Sequence, residues 1–83
     1  MALGRYKEAM SSFKEALKLQ PNHSDACYNL ALLYARQGNV KCAVQYLKQA
    51  IEINPGLYRA LAKNEVQFNK IRQDKKFQYL VRR

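Results

Sequence analysis

Gly4, Ala9, Ala16 and Pro21 recur as Gly38, Ala43, Ala50 and Pro55, each 34 residues further along the chain. The large residues between these marks match in kind: Phe13 with Leu47, Leu17 with Ile51, Leu19 with Ile53, and Lys7 and Lys14 with Lys41 and Lys48. A period of this length, with small residues at fixed sites and a closing proline, marks a helix-turn-helix unit. Such a unit cannot bury its apolar face alone and does so by stacking on copies of itself. The pattern restricts the chain to an all-α stack of antiparallel helix pairs.

Apolar spacing fills in the helices. Residues 5–19 place Tyr6, Ala9, Met10, Phe13, Ala16 and Leu17 on one face of a helix, and Gln20-Pro21-Asn22 ends it because proline cannot continue the hydrogen-bond ladder. Ser24 and Asp25 supply a polar first turn for a helix over 24–37, whose packed stripe is Cys27, Leu30, Ala31, Leu33 and Tyr34. Gly38-Asn39 breaks that helix, glycine suiting a left-handed carboxyl cap. The next helix, 40–53, packs Val40, Ala43, Val44, Leu47, Ala50 and Ile51, and its alanines let neighbouring backbones approach closely. After Pro55-Gly56, residues 58–72 read as one helix with the sparser stripe Leu57, Leu61, Phe68 and Ile71. A last helical piece, 74–81, offers Phe77, Leu80 and Val81 to fold back on it.

On Gly4, Ala9, Ala16, Pro21 and on Leu30-Ala31, Tyr34, Gly38, Ala43, Leu47, Ala50 and Pro55, the chain resembles the tetratricopeptide repeat family. The resemblance implies an α-solenoid in one domain, divided into the second half of an incomplete repeat (1–23), a complete repeat (24–57) and a basic capping helix and tail (58–83). Cys27 stands where the family usually has a large aromatic, while Asn64 and Glu65 replace the Leu and small residue of a third copy. The function implied is a non-catalytic scaffold that binds a peptide or protein partner, with the first helix of each repeat lining the concave face. That face selects Asp25, Tyr28, Asn29, Leu32 and Arg36, then Arg59, Ala62, Lys63, Val66 and Lys70.

Within this set the expected peptide-binding residues are Tyr28, Asn29, Leu32, Arg36, Arg59 and Lys63. Tyr28 and Leu32 are one turn apart on a side that the core stripe does not need. Some family members grip the free carboxylate of a partner's acidic carboxyl-terminal peptide with an Asn on one first helix and two basic residues four apart on the next. Asn29 stands at the Asn position, and Arg59 and Lys63 at the basic ones with Lys and Arg exchanged. Residues at i and i+4 share a helix face, so both cations can converge on one anion.

Charge points the same way. The formal net charge is +9, and +6 of it sits in residues 58–83 as Arg59, Lys63, Lys70, Arg72, Lys75, Lys76, Arg82 and Arg83 against Glu65 and Asp74. Such asymmetry favours an acidic partner. An alternative is nucleic-acid or anionic-surface binding through the basic end, where Phe68, Phe77 and Tyr79 are interleaved with the cations; spacing, however, puts both phenylalanines on the apolar stripe.

Enzyme readings find little to stand on. The single histidine, His23, falls in a turn and reads as solvent-exposed, and the six acidic residues show no pair spaced to converge. The three glycines occupy turns rather than a phosphate loop, and Ser11, Ser12, Ser24, Cys27 and Cys42 lack a base to activate them. The two cysteines match no metal or disulfide framework; Cys27 reads as a buried small hydrophobe and Cys42 as an exposed thiol. No cofactor or metal is expected. No apolar run approaches the ~18 residues of a membrane span, and the start of the chain lacks signal-peptide character, so the expected location is cytoplasmic. Because only Met1 and Ala2 precede Leu3, the apolar stripe of the first helix lacks its usual partner, and a homo-oligomer joined through that helix is expected.

Overall fold

The repeat spacing yields six helical segments in the computed structural model, which describes residues 3–82: α1 (Leu3–Leu19), α2 (Ser24–Arg36), α3 (Val40–Ile53), α4 (Pro55–Asn64), a 3-10 helix (Val66–Ile71) and α5 (Lys75–Arg82). Met1, Ala2 and Arg83 of the basic end lie outside the described residues.

Short polar side chains start the helices, because the first N–H groups of a helix have no partner within it. Asn39 Oδ1 accepts from Cys42 N at 3.2 Å, and Asn54 Oδ1 from Leu57 N at 3.4 Å, with Pro55 occupying the first helical turn of α4. Asp74 Oδ1 accepts from Lys76 N at 2.8 Å and so opens α5. At α2 the capping group is His23 rather than Ser24: its Nδ1 accepts from Ala26 N at 3.2 Å, and the ring is half-buried instead of exposed. Gly38 ends the α2 turn with φ +78°, and the amide of Asn39 reaches back to Tyr34 O at 2.9 Å. A left-handed residue there suits glycine alone without strain.

α2 and α3 form the central antiparallel pair, and α1 packs chiefly on α2. The repeated alanines Ala43 and Ala50 are fully buried, as a close helix contact requires, and so are Ala31, Ala35, Cys27 and Leu47. The Cys27 thiol donates to Gln49 Oε1 at 3.6 Å, and Cys42 is half-buried rather than an exposed thiol. One continuous core runs from these residues through Tyr58, Ala62, Phe68 and Ile71 to Phe77 and Val81. α5 thus folds back on the stack with Phe77 and Val81 buried and Leu80 packed beside them.

Two features of the carboxyl-terminal third depart from the periodicity reading. The helix expected over 58–72 breaks at Glu65, which adopts an extended backbone (φ −79°, ψ 114°) while its carboxylate accepts from Gln67 N at 3.3 Å. A side chain that caps the following turn competes with helix continuation, and the break lets Phe68 and Ile71 reach α2. Secondly, α4 turns Tyr58 and Ala62 into the core, leaving Leu57 and Leu61 47% and 43% exposed. Tyr58 wins the inward position through its hydroxyl, which lies 3.0 Å from Ser24 Oγ and 3.1 Å from Asp25 Oδ1 and ties α4 to the first turn of α2. Tyr58→Phe is expected to lower the unfolding free energy by about 1 kcal/mol, measured by urea denaturation. An unchanged midpoint would show that this link adds nothing.

Candidate binding surface

The six residues expected to contact a peptide do not share one open face. Tyr28 and Leu32 are each only 9% exposed, because the 3-10 helix lies along α2 and covers them. The Tyr28 ring sits 5.2 Å from that of Tyr58 and 5.9 Å, edge-on, from that of Phe68. Its hydroxyl has no hydrogen-bond partner among the described residues. Burial, with the Glu65 carboxylate and Tyr58 adding to it, pushes that phenol up to about 12. Both side chains are core here. The resemblance placed them on an open concave face, and the 3-10 helix packed along α2, with Phe68 edge-on to Tyr28, closes it.

The four polar members remain at or near the surface, and the side chains of Asn29, Arg36 and Arg59 are engaged within the fold. Asn29 is half-buried, with its Nδ2 donating to Asp25 O one turn back at 2.8 Å. Arg36 lies 5.3 Å from the Tyr6 ring centroid and donates to Gln67 Oε1 at 3.5 Å, while its carbonyl accepts from Lys70 Nζ at 2.9 Å. These groups rim a shallow hollow of about 590 Å³ completed by Val66 and Asn69. Arg59 and Lys63 are one turn apart on α4, as their spacing requires. Lys63 is exposed, whereas the Arg59 Nε donates to Leu80 O at 3.3 Å and so points its head towards α5.

That orientation makes Arg59 part of a different recess. A cleft of about 630 Å³ opens between α3, α4 and α5, lined by Val44, Lys48, Ile51, Arg59, Lys76 and Leu80 among others. The sequence marks Lys48 as a repeat position and Val44 as part of the packed stripe, and neither as a site residue. The signal available was the cation spacing on α3, Lys41 and Lys48, which served only as a repeat mark. Phe68 and Phe77, interleaved with the basic end, are 0% and 1% exposed and present no face to a base. Among the described residues no cluster of His, Cys, Asp and Glu is placed to hold a metal ion, and no helix is long and apolar enough to cross a membrane.

A stack of antiparallel helix pairs joined by Gly38 and Pro55 turns, with alanines at the contacts, defines a helical repeat protein, and the chain belongs to the tetratricopeptide repeat family, whose profile matches residues 1–64. Curated relatives include photosystem I assembly protein Ycf3 of Rippkaea orientalis (strain PCC 8801 / RF-1), 34% identical over 61 residues that cover 70% of this chain and 35% of the relative. The protein of the same name from Cyanophora paradoxa is 36% identical over 61 residues, covering 70% and 35%. That of Chaetosphaeridium globosum is 35% identical over 60 residues, covering 69% and 36%. The chain therefore spans about a third of the length of these curated relatives. No solved structure matches the chain.

Proposed function

We propose that this chain is a non-catalytic interaction module that holds an acidic protein or peptide partner on its helix surfaces during assembly of a larger complex, with the cytoplasm as its compartment. The observation that carries the reading is the family match itself: repeats of this kind bury their cores by stacking and leave long helix faces for partners. Relatives named for photosystem I assembly support an assembly role, carried here on the shared 61 residues. Of the expected contact residues, Asn29, Arg36, Arg59 and Lys63 carry the proposal, since Tyr28 and Leu32 are buried.

The test is reconstitution. A partner retained from lysate at physiological salt after nuclease treatment is purified and rebuilt with this chain as a binary complex, monitored by calorimetry. A defined stoichiometry with submillimolar affinity is the expected result. If nuclease removes everything retained, and an oligonucleotide binds with a steep salt dependence, the basic end is instead a nucleic-acid surface.

Self-association is part of the same proposal on a separate observation. α1 has α2 as its chief neighbour, so Tyr6, Met10 and Phe13 stay half-buried. Burial of that stripe by a second copy stabilises at about 25 cal/mol per Å². Sedimentation equilibrium is expected to show a wild-type dimer or higher oligomer in the micromolar range and a monomer for Phe13→Glu. A wild-type monomer throughout that range rules out the oligomer.

A further inference from the structure

Of the two recesses described above, the hollow beside Arg36 and Lys70 offers only the 71% exposed Val66 as an apolar contact, whereas the cleft between α3, α4 and α5 sets its cations around aliphatic residues anchored in the core. In the cleft between α3, α4 and α5, Lys48, Arg59, Lys75 and Lys76 surround Val44, Ile51 and Leu80, with Glu52 the single anion of the lining. Ile51 is buried, and Val44 and Leu80 pack against the core from its edge, so the floor is held by the fold. Arg59 is half-buried and fixed by its Nε contact with Leu80 O, which leaves the far edge of a planar guanidinium directed away from that carbonyl. A second hollow of about 660 Å³, lined by Lys75, Gln78, Tyr79 and Arg82, shares Lys75 and Tyr79 with the first and prolongs it along α5.

We infer that this cleft is the seat of an amphipathic acidic segment of a partner protein. Apolar side chains of the segment would rest on Val44, Ile51 and Leu80, and its carboxylates would meet Lys48, Arg59, Lys75 and Lys76. The inference rests on the interaction-module reading and deepens it by naming the partner's chemistry and the place it binds. Charge complementarity selects an acidic occupant, because the lining carries four cations against one anion. The aliphatic floor selects a peptide over a nucleic acid. Single-stranded nucleic acid stacks successive bases on several rings, whereas Phe68 and Phe77 are enclosed in the core and Tyr79, 63% exposed, is the single ring of the cleft lining. A volume of about 630 Å³ lies in the range that takes a few side chains rather than a domain surface. The burial of Tyr28 and Leu32 beneath the 3-10 helix removes the apolar contacts of the α2 face, so α3, α4 and α5 offer the apolar recess that α2 does not.

The probe is a short fluorescein-labelled peptide of Glu, Leu and Phe with both ends blocked, followed by anisotropy at physiological salt. Blocking the ends separates this cleft from capture of a free terminal carboxylate. Lys48→Glu/Lys76→Glu changes two exposed residues and should leave the circular dichroism unchanged while weakening the probe by at least about tenfold. Lys7→Glu/Lys18→Glu makes the same change in net charge on α1, outside the cleft, and should weaken it by no more than about twofold, since screening acts over about 8 Å. Replacing Leu and Phe of the probe by Ser should also lower affinity by about tenfold or more. Equal losses in the two double variants, or equal binding of the Ser-substituted probe, would overturn the cleft in favour of diffuse attraction. A polyuridylate oligonucleotide that binds more tightly than the peptide and displaces it would assign the cations to nucleic acid. Should a reconstituted partner complex survive Lys48→Glu/Lys76→Glu unchanged, the location is wrong while the interaction-module reading stands. Failure to rebuild any binary protein complex sinks that broader reading instead.

Discussion

Phe68→Ala is expected to lower the unfolding free energy by about 4 kcal/mol, within the range for removing a buried phenylalanine. The chain of 83 residues has on the order of 4–12 kcal/mol to lose, so much of the population should unfold near physiological temperature. The size of the effect follows from position. Phe68 is fully buried and touches two separate helices, its ring standing edge-on to Tyr28 at 5.9 Å and tilted against Phe77 at 5.1 Å. The 3-10 helix that carries it has poor intrinsic hydrogen-bond geometry and is held in place by what it packs on. Truncation leaves a void between α2 and α5 and also uncovers the Tyr28 and Leu32 side chains. Phe68→Leu fills part of that space and should cost about 1–1.5 kcal/mol. Urea titration followed by circular dichroism measures both. A loss below about 1 kcal/mol for the alanine variant would mean that the cap docks without cooperating with the α2–α3 core.

The sequence shows the centre of the fold clearly and its closure poorly, and particular residues explain why. Gly38, Ala43, Ala50 and Pro55 are legible because each answers one local demand, a left-handed turn, a close helix contact or a helix stop, and each recurs. Leu57 and Leu61 mislead because a ranking by hydrophobicity favours leucine over a neighbouring Tyr58 and Ala62. The latter pair fits a close contact and brings a hydroxyl to Asp25. The break at Asn64-Glu65 contains neither proline nor glycine; it depends on the capping of Gln67 N and on the distant pull of Tyr28 on Phe68. That same long-range contact converts Tyr28 and Leu32 from expected ligand contacts into core. The meeting of Tyr28 with Phe68 joins residues far apart in the chain and has no local signature. Charge was legible as an excess at the basic end, whereas its gathering around Val44 and Ile51 requires the fold.

Arg72→Met is expected to cost about 2–3 kcal/mol, and the expectation rests on where the guanidinium ends. The last carbonyls of a helix lack partners within it, and α4 stops abruptly at Asn64. Arg72 supplies the missing donors: Nη1 lies 3.4 Å from Ala62 O and 3.1 Å from Lys63 O, Nη2 donates to Glu65 O, and Nε donates to Asn69 Oδ1 at 3.1 Å. The same group stands 5.6 Å from the Phe77 ring centroid, so it bridges the end of α4 to α5. Hydrogen bonds from a charged donor contribute more than neutral ones, and a cation at a helix carboxyl end also meets the negative pole of its dipole. Methionine keeps the stem's packing and removes all of this. Loss of one cation from a chain of net charge +9 relieves repulsion, so global charge would push the other way and a measured loss would report the local contacts. Arg72→Lys retains the charge but not the planar fork, and should recover less than half of the deficit. Urea denaturation gives the energies, and amide exchange across 65–71 should quicken in both variants. If the lysine variant matched wild type, charge alone would hold the cap. If the methionine variant did, water would be satisfying those carbonyls and Arg72 would not join α4 to α5.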